Sequence, residues 1–154
     1  MNKLLVLFSL ILGVAAQAKA EGQRVPAALT PQKVSYTWMG ADAAYSCDFA
    51  QREVEKTLLA LGARDVVTRC IGGLPDNAFP TVDAKFISIR RATDDKATMQ
   101  AQVSPVTIKF DNSCEFHEEL IRSVLEKFEV FSKHASSSCW HSEGSVRYDV
   151  TVLK

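Results

Sequence analysis

The sequence predicts an α+β domain: a two-layer sandwich of six mostly antiparallel strands with two helices on one face. Three observations carry that. Ser46-Cys47-Asp48-Phe49 opens one amphipathic stripe, and Ser113-Cys114-Glu115-Phe116 opens another at the same offsets. Each stripe is flanked by segments in which apolar and polar residues alternate. A further cysteine follows each stripe, Cys70 after the first and Cys139 after the second. The order strand-helix-strand-strand therefore occurs twice, over 33–97 and 98–154. Such order predicts an internal repeat of two βαββ units with a pseudo-two-fold arrangement.

The first twenty residues lie outside that domain. Asn2-Lys3 supplies a positive start, and Leu4 to Ala16 is apolar apart from Ser9 and Gly13. Ala18-Lys19-Ala20 is a small-residue cleavage box, so 1–20 is expected to be a signal peptide that leaves Glu21 as the new N-terminus. The apolar run is too short for a membrane span, which needs about twenty residues. Export to the periplasm, or secretion, follows, with no membrane insertion after cleavage. Residues 21–32 carry Pro26, Pro31 and no periodicity. They are expected to be a flexible N-terminal segment ahead of a single domain over 33–154.

Val34, Tyr36 and Trp38 alternate with Lys33, Ser35 and Thr37, which predicts a half-buried strand. Ser46 or Asp42 is placed to cap the first helix. Cys47, Ala50, Val54, Leu58 and Leu61 form its apolar stripe, and Gly62 ends it in a left-handed cap. Arg64 to Ile71 predicts a second strand. Gly72 to Asn77 is turn chemistry. Val82, Ala84 and Phe86 begin a third strand that runs to about Arg90. Met99, Ala101 and Val103 share one strand phase, whereas Val106, Ile108 and Phe110 share the other, with Pro105 at the change. A bulge or break is expected there. Cys114, His117, Ile121, Leu125 and Phe128 repeat the first stripe. Phe131 to Cys139 and Val146 to Val152 complete the strands. The alternation predicts a sheet covered on one side only.

Geometry selects the cysteine pairs. A helix from Cys47 to Leu61 rises about 21 Å. A strand from Arg64 to Cys70 returns about 20 Å, which brings Cys70 back beside Cys47. The same path brings Cys139 near Cys114, with an overshoot that a bulge in Ser136-Ser137-Ser138 would absorb. The expected disulfides are Cys47–Cys70 and Cys114–Cys139, in keeping with an exported chain.

The sequence speaks against several functions. The chain holds 18 basic and 18 acidic residues. Removing 1–20 takes away Lys3 and Lys19, leaving 16 against 18 and a net charge of −2. That gives no electrostatic footprint for nucleic acid. No C-x-x-C, G-x-S-x-G, H-E-x-x-H or phosphate loop occurs, and no cofactor or metal is expected. His117 lies on the apolar stripe and is expected in the core, while His134 falls in a strand.

The leading expectation is a non-enzymatic binding or protein-interaction module for a protein or small-molecule partner in the periplasm. Leu74 and Phe79, in the loop from Leu74 to Pro80, are its expected partner contacts. One alternative is a small enzyme with dispersed catalytic residues. Another is a metal- or thiol-dependent protein using Cys139, His141 and His117, which requires a free thiol. Lys85, Arg90, Arg91 and Lys96, with Asp94 and Asp95 between them, are expected at a solvated hairpin tip.

Tyr36 to Cys47, Val54-Glu55-Lys56 and Leu58 to Gly62 resemble the heavy-metal-associated domains of the ferredoxin-like class. In that family a C-x-x-C loop leads into the helix. Here the first cysteine's slot holds Ala44 in one half and Asp111 in the other. The resemblance therefore implies a strand-helix-strand path and no metal ligands.

Overall fold

The computed structural model describes residues 22–40, 44–75, 78–140 and 143–154. The expected signal peptide, Asp42 and His141 lie outside the described residues. The elements are β1 (Arg24–Thr37), α1 (Cys47–Ala60), β2 (Arg64–Gly73), β3 (Ala78–Arg91), β4 (Met99–Phe110), α2 (Cys114–Leu125), β5 (Val130–Ser137) and β6 (Val146–Leu153). They form a six-stranded sheet in the order β2-β3-β1-β4-β6-β5, antiparallel at every step. Each half pairs its first strand with its third and its third with its second. The two first strands, β1 and β4, meet in the middle.

Local chemistry sets the helix ends. Ser46 caps α1, its Oγ accepting from the Phe49 N–H at 3.3 Å. Gly62 takes φ +91°, and the Ala63 N–H donates back to the Leu58 carbonyl at 3.0 Å, closing the end as a left-handed cap. Ala50, Val54, Leu58 and Leu61 are fully buried, as the stripe requires. In α2 the buried face is wider than the stripe: Phe116, Leu120 and Val124 join His117 and Ile121. Both helices share one core cluster with the even-numbered residues of β1, β3, β4 and β6, so the helices cover one face. At its centre Phe116 meets the rings of Tyr36, Trp38, Tyr45 and Phe49. The Tyr36 hydroxyl donates to the Phe116 carbonyl at 2.9 Å, and burial pushes its pKa well up.

Both disulfides form as expected, Cys47–Cys70 and Cys114–Cys139, each with Cα atoms 5.6 Å apart. Each ties the first residue of a helix to the strand region that follows it.

Several expectations need correction. Residues 24–32 are not a flexible segment, because they form the first part of β1. Ala27 to Thr37 pair with β3, and Arg24 to Ala27 pair with β4. Pro31 is tolerated because its missing N–H would face away from β3. The Trp38 N–H donates to the Pro80 carbonyl, so even-numbered residues of β1 point their main-chain groups at β3 and odd-numbered ones point away.

Pro105 causes no bulge, since β4 keeps register with β6 from Val103 to Phe110. Gln102 and Lys154 exchange main-chain hydrogen bonds, so even-numbered β4 residues face β6 and Pro105 faces the other side. On that side β4 bonds Gly22 and Gln23 through Val103, and Pro105 lies beyond them, where no strand among the described residues asks for a donor.

The phase change instead reflects a second core. Val25, Ala27, Ile89, Ala101, Val103 and Leu153 pack together on the face opposite the helices, so the sheet is not covered on one side only. The strands alternate without interruption; what changes along them is which face is buried. Finally, the register shift in β5 lies between Val130 and Ser132, not in the serine run, and the strand ends at Ser137 before an overshoot arises.

Candidate functional site

The expected contact residues fall at one end of the β2–β3 pair. Gly73 has φ +78°, and a side chain there would meet the Cys47 nitrogen at 2.8 Å. This close approach lets the Leu74 N–H donate to the Tyr45 carbonyl at 3.1 Å and bridges Leu74 to Ser46. The turn is thereby pinned to the start of α1, beside the Cys47–Cys70 disulfide. Phe79 belongs to β3 rather than to a loop. Its phase is that of Thr81 and Asp83, on the face away from the helices.

Register gathers further apolar residues around it. Ile71 pairs with Thr81 and Val67 with Lys85, so both share Phe79's face. Met39 follows Trp38, whose N–H donates to the Pro80 carbonyl just past the paired end of β1, and Pro80 is the residue next to Phe79 in β3. The exposures are Met39 69%, Val67 66%, Phe79 59%, Ile71 56% and Leu74 48%. Leu74 and Phe79 are legible in the sequence, and the other three escaped. The available signal was the β2 phase: Val66, Thr68 and Cys70 turn inward, so Val67 and Ile71 turn outward.

His117 is buried as expected, and it has a partner that spacing could not show. Its Nε2 lies 3.1 Å from Glu53 Oε2 on α1, and its Nδ1 lies 3.0 Å from the Asn112 carbonyl. The ring stacks on Phe110 at 3.7 Å between centroids. A cavity of about 240 Å³ opens beside the pair, with Lys56, Lys109 and Asp111 in its lining.

Burial disfavours the imidazolium, while Glu53 and the carbonyl favour it. Arg52 and Lys56 also approach the Glu53 carboxylate, at 3.7 and 3.8 Å, and weaken its pull on the ring. Burial prevails, and the His117 pKa lies below its ordinary value. The unfolded chain therefore binds the proton more readily than the folded one. This contribution to stability is present above the ordinary histidine value of about 6.5 and is lost as pH falls through it toward the folded value. The urea midpoint is expected to fall on acidification through that window, and His117→Gln is expected to flatten the fall. A midpoint that rises on acidification would contradict the assignment.

Cys139, a ligand in the metal or thiol alternative, is held in a disulfide, and no cysteine is free among the described residues. His134 lies exposed on β5, at the far edge of the sheet from β2. No group of three or more His, Cys, Asp and Glu side chains converges among the described residues. The basic set does not all sit at a solvated tip. Arg90 pairs with Glu129 at 3.7 Å, and Arg91 lies 5.1 Å from the centre of the Phe131 ring. The end of β3 thus meets the start of β5, although three strands separate them in the sheet. No protein-family model, curated protein or solved structure matches the chain.

Proposed function

We propose that the chain is an exported, non-enzymatic binding module that meets a protein partner through the outer face of β2 and β3. One observation carries the reading. Met39, Val67, Ile71, Leu74 and Phe79 expose large apolar side chains toward one end of the sheet, next to a disulfide and a pinned turn. Water disfavours such a grouping, and aromatic anchors on a braced surface are the usual centres of protein interfaces. Two disulfides suit an oxidising compartment. Residues 1–20 have the pattern of a cleaved signal peptide, and the periplasm is the proposed destination. No helix among the described residues is long and apolar enough to cross a membrane.

The test is capture from a periplasmic extract with the oxidised protein as bait. One stoichiometric protein partner is expected. Phe79→Ala is expected to weaken its capture about tenfold or more, as loss of an interface anchor does. The thermal midpoint should hardly move, because Phe79 is exposed. Undiminished capture by Phe79→Ala would remove this surface from the reading.

A further inference from the structure

We infer that the inner edge of β1, beside α2, takes up an extended segment of a partner protein, carrying one central acidic residue, as an added strand. The edge is open for a structural reason. β1 and β4 overlap only where Arg24 to Ala27 face Gln102 to Met99. Beyond Ala27, β1 continues for ten residues with β3 on one side and, among the described residues, no strand on the other. The Ala92 N–H donates to the Pro26 carbonyl on the β3 side, and the Thr98 N–H donates to the Ala27 carbonyl on the other. The alternation continues to Trp38, whose N–H again points at β3. The main-chain groups of Lys33, Ser35 and Thr37 therefore point into the open side, at the roughly 6.8 Å repeat of a strand ladder. Pro31 ends the usable edge at its other limit, since it has no N–H to offer.

A groove runs along these residues. Two adjoining cavities of about 330 and 410 Å³ share Ser35, Arg122 and Ser123. One side of the groove is the β1 edge, and the other is the polar face of α2 with the turn after it. Donors and acceptors that alternate along an edge are matched by another extended backbone, the basis of strand-addition binding. The charges select its chemistry. Lys33, Arg122 and Lys127 line the groove and make no ion pair with a described residue. Arg122 stands where the two cavities meet, so a carboxylate on the added strand would meet its guanidinium there. Glu119 and Glu126 flank it and disfavour an acidic residue further along in either direction. The site is separate from the apolar β2–β3 face and stands or falls independently of it.

Hydrogen exchange and peptide selection test this together. In the free protein the amides of Lys33, Ser35 and Thr37 are expected to exchange fast while those of Val34 and Tyr36 are protected. Equal protection of all five would overturn the inference. A phage-displayed library of linear peptides, selected on the oxidised protein, should enrich segments with a central Asp or Glu that protect the three exposed amides. Ser35→Pro removes one outward donor without touching the β3 ladder, as Pro31 already does natively. It should weaken the selected peptides about tenfold, whereas Ser35→Ala should not. Arg122→Ala should weaken them and reduce their salt dependence. Enriched peptides that ignore Ser35→Pro, or an empty selection, would overturn the inference. Protection of the same amides by raised protein concentration alone would assign the edge to a second copy and overturn it as well.

Discussion

Truncating Phe116 to alanine is expected to destabilise the fold by about 3–5 kcal/mol, the range for a fully buried phenylalanine. Phe116 is completely buried, and four aromatic rings surround it within 5.1 to 5.6 Å between centroids. Those rings come from β1, from the residue after it, from the approach to α1 and from α1 itself. The residue therefore joins the second helix to the whole first half. Edge-on ring contacts add to the area buried, so the loss exceeds that of an isolated core residue. Net stabilities of small domains are about 5–15 kcal/mol, and a loss of this size removes a large part of that. Urea unfolding of Phe116→Ala should show a midpoint far below the wild type with a similar slope. A shift below about 1 kcal/mol would mean that the two halves are not joined at this ring.

The second large effect is expected from the disulfides. Their cysteines are separated by 23 and 25 residues, and closing loops of that size contributes about 3 kcal/mol each in the chain-entropy description. Replacing Cys114 and Cys139 with serine should cost somewhat more than replacing Cys47 and Cys70. Cys114 is fully buried, and serine would leave a hydroxyl where the sulfur packed against the core. Thermal unfolding of the two double variants under oxidising conditions measures this. Equal and small losses would show that the native sheet holds the helices without help.

Much of this architecture was legible locally. The paired Ser-Cys starts, the stripe spacing and the matched lengths of helix and strand were enough to place both disulfides. The residues that escaped did so for identifiable reasons. Phe116, Leu120 and Val124 lie off the narrow stripe, and they are buried because α2 packs against the first half as well as its own sheet. Residues 24–32 look irregular because two prolines interrupt the pattern, but Pro31 faces a side where no strand among the described residues asks for a donor. Glu53 looks like a charge placed for the positive end of α1. Its partner His117 is 64 residues away, and only the packing of one helix beside the other brings them together. The same limit applies to the contact surface, where the register of β2 on β3 brings Val67 and Ile71 onto the face of Phe79 and Met39 follows the end of β1.

Two helices, each stapled at its first residue to the strand that follows it or to the residues just past that strand, organise the fold, and the sheet end beside the first staple carries the exposed apolar face. Peptide mapping of the unreduced protein tests that arrangement most directly. Digestion should release one linked pair containing Cys47 and Cys70 and another containing Cys114 and Cys139. A linked peptide joining Cys47 to Cys114, or a free thiol at Cys139, would contradict it.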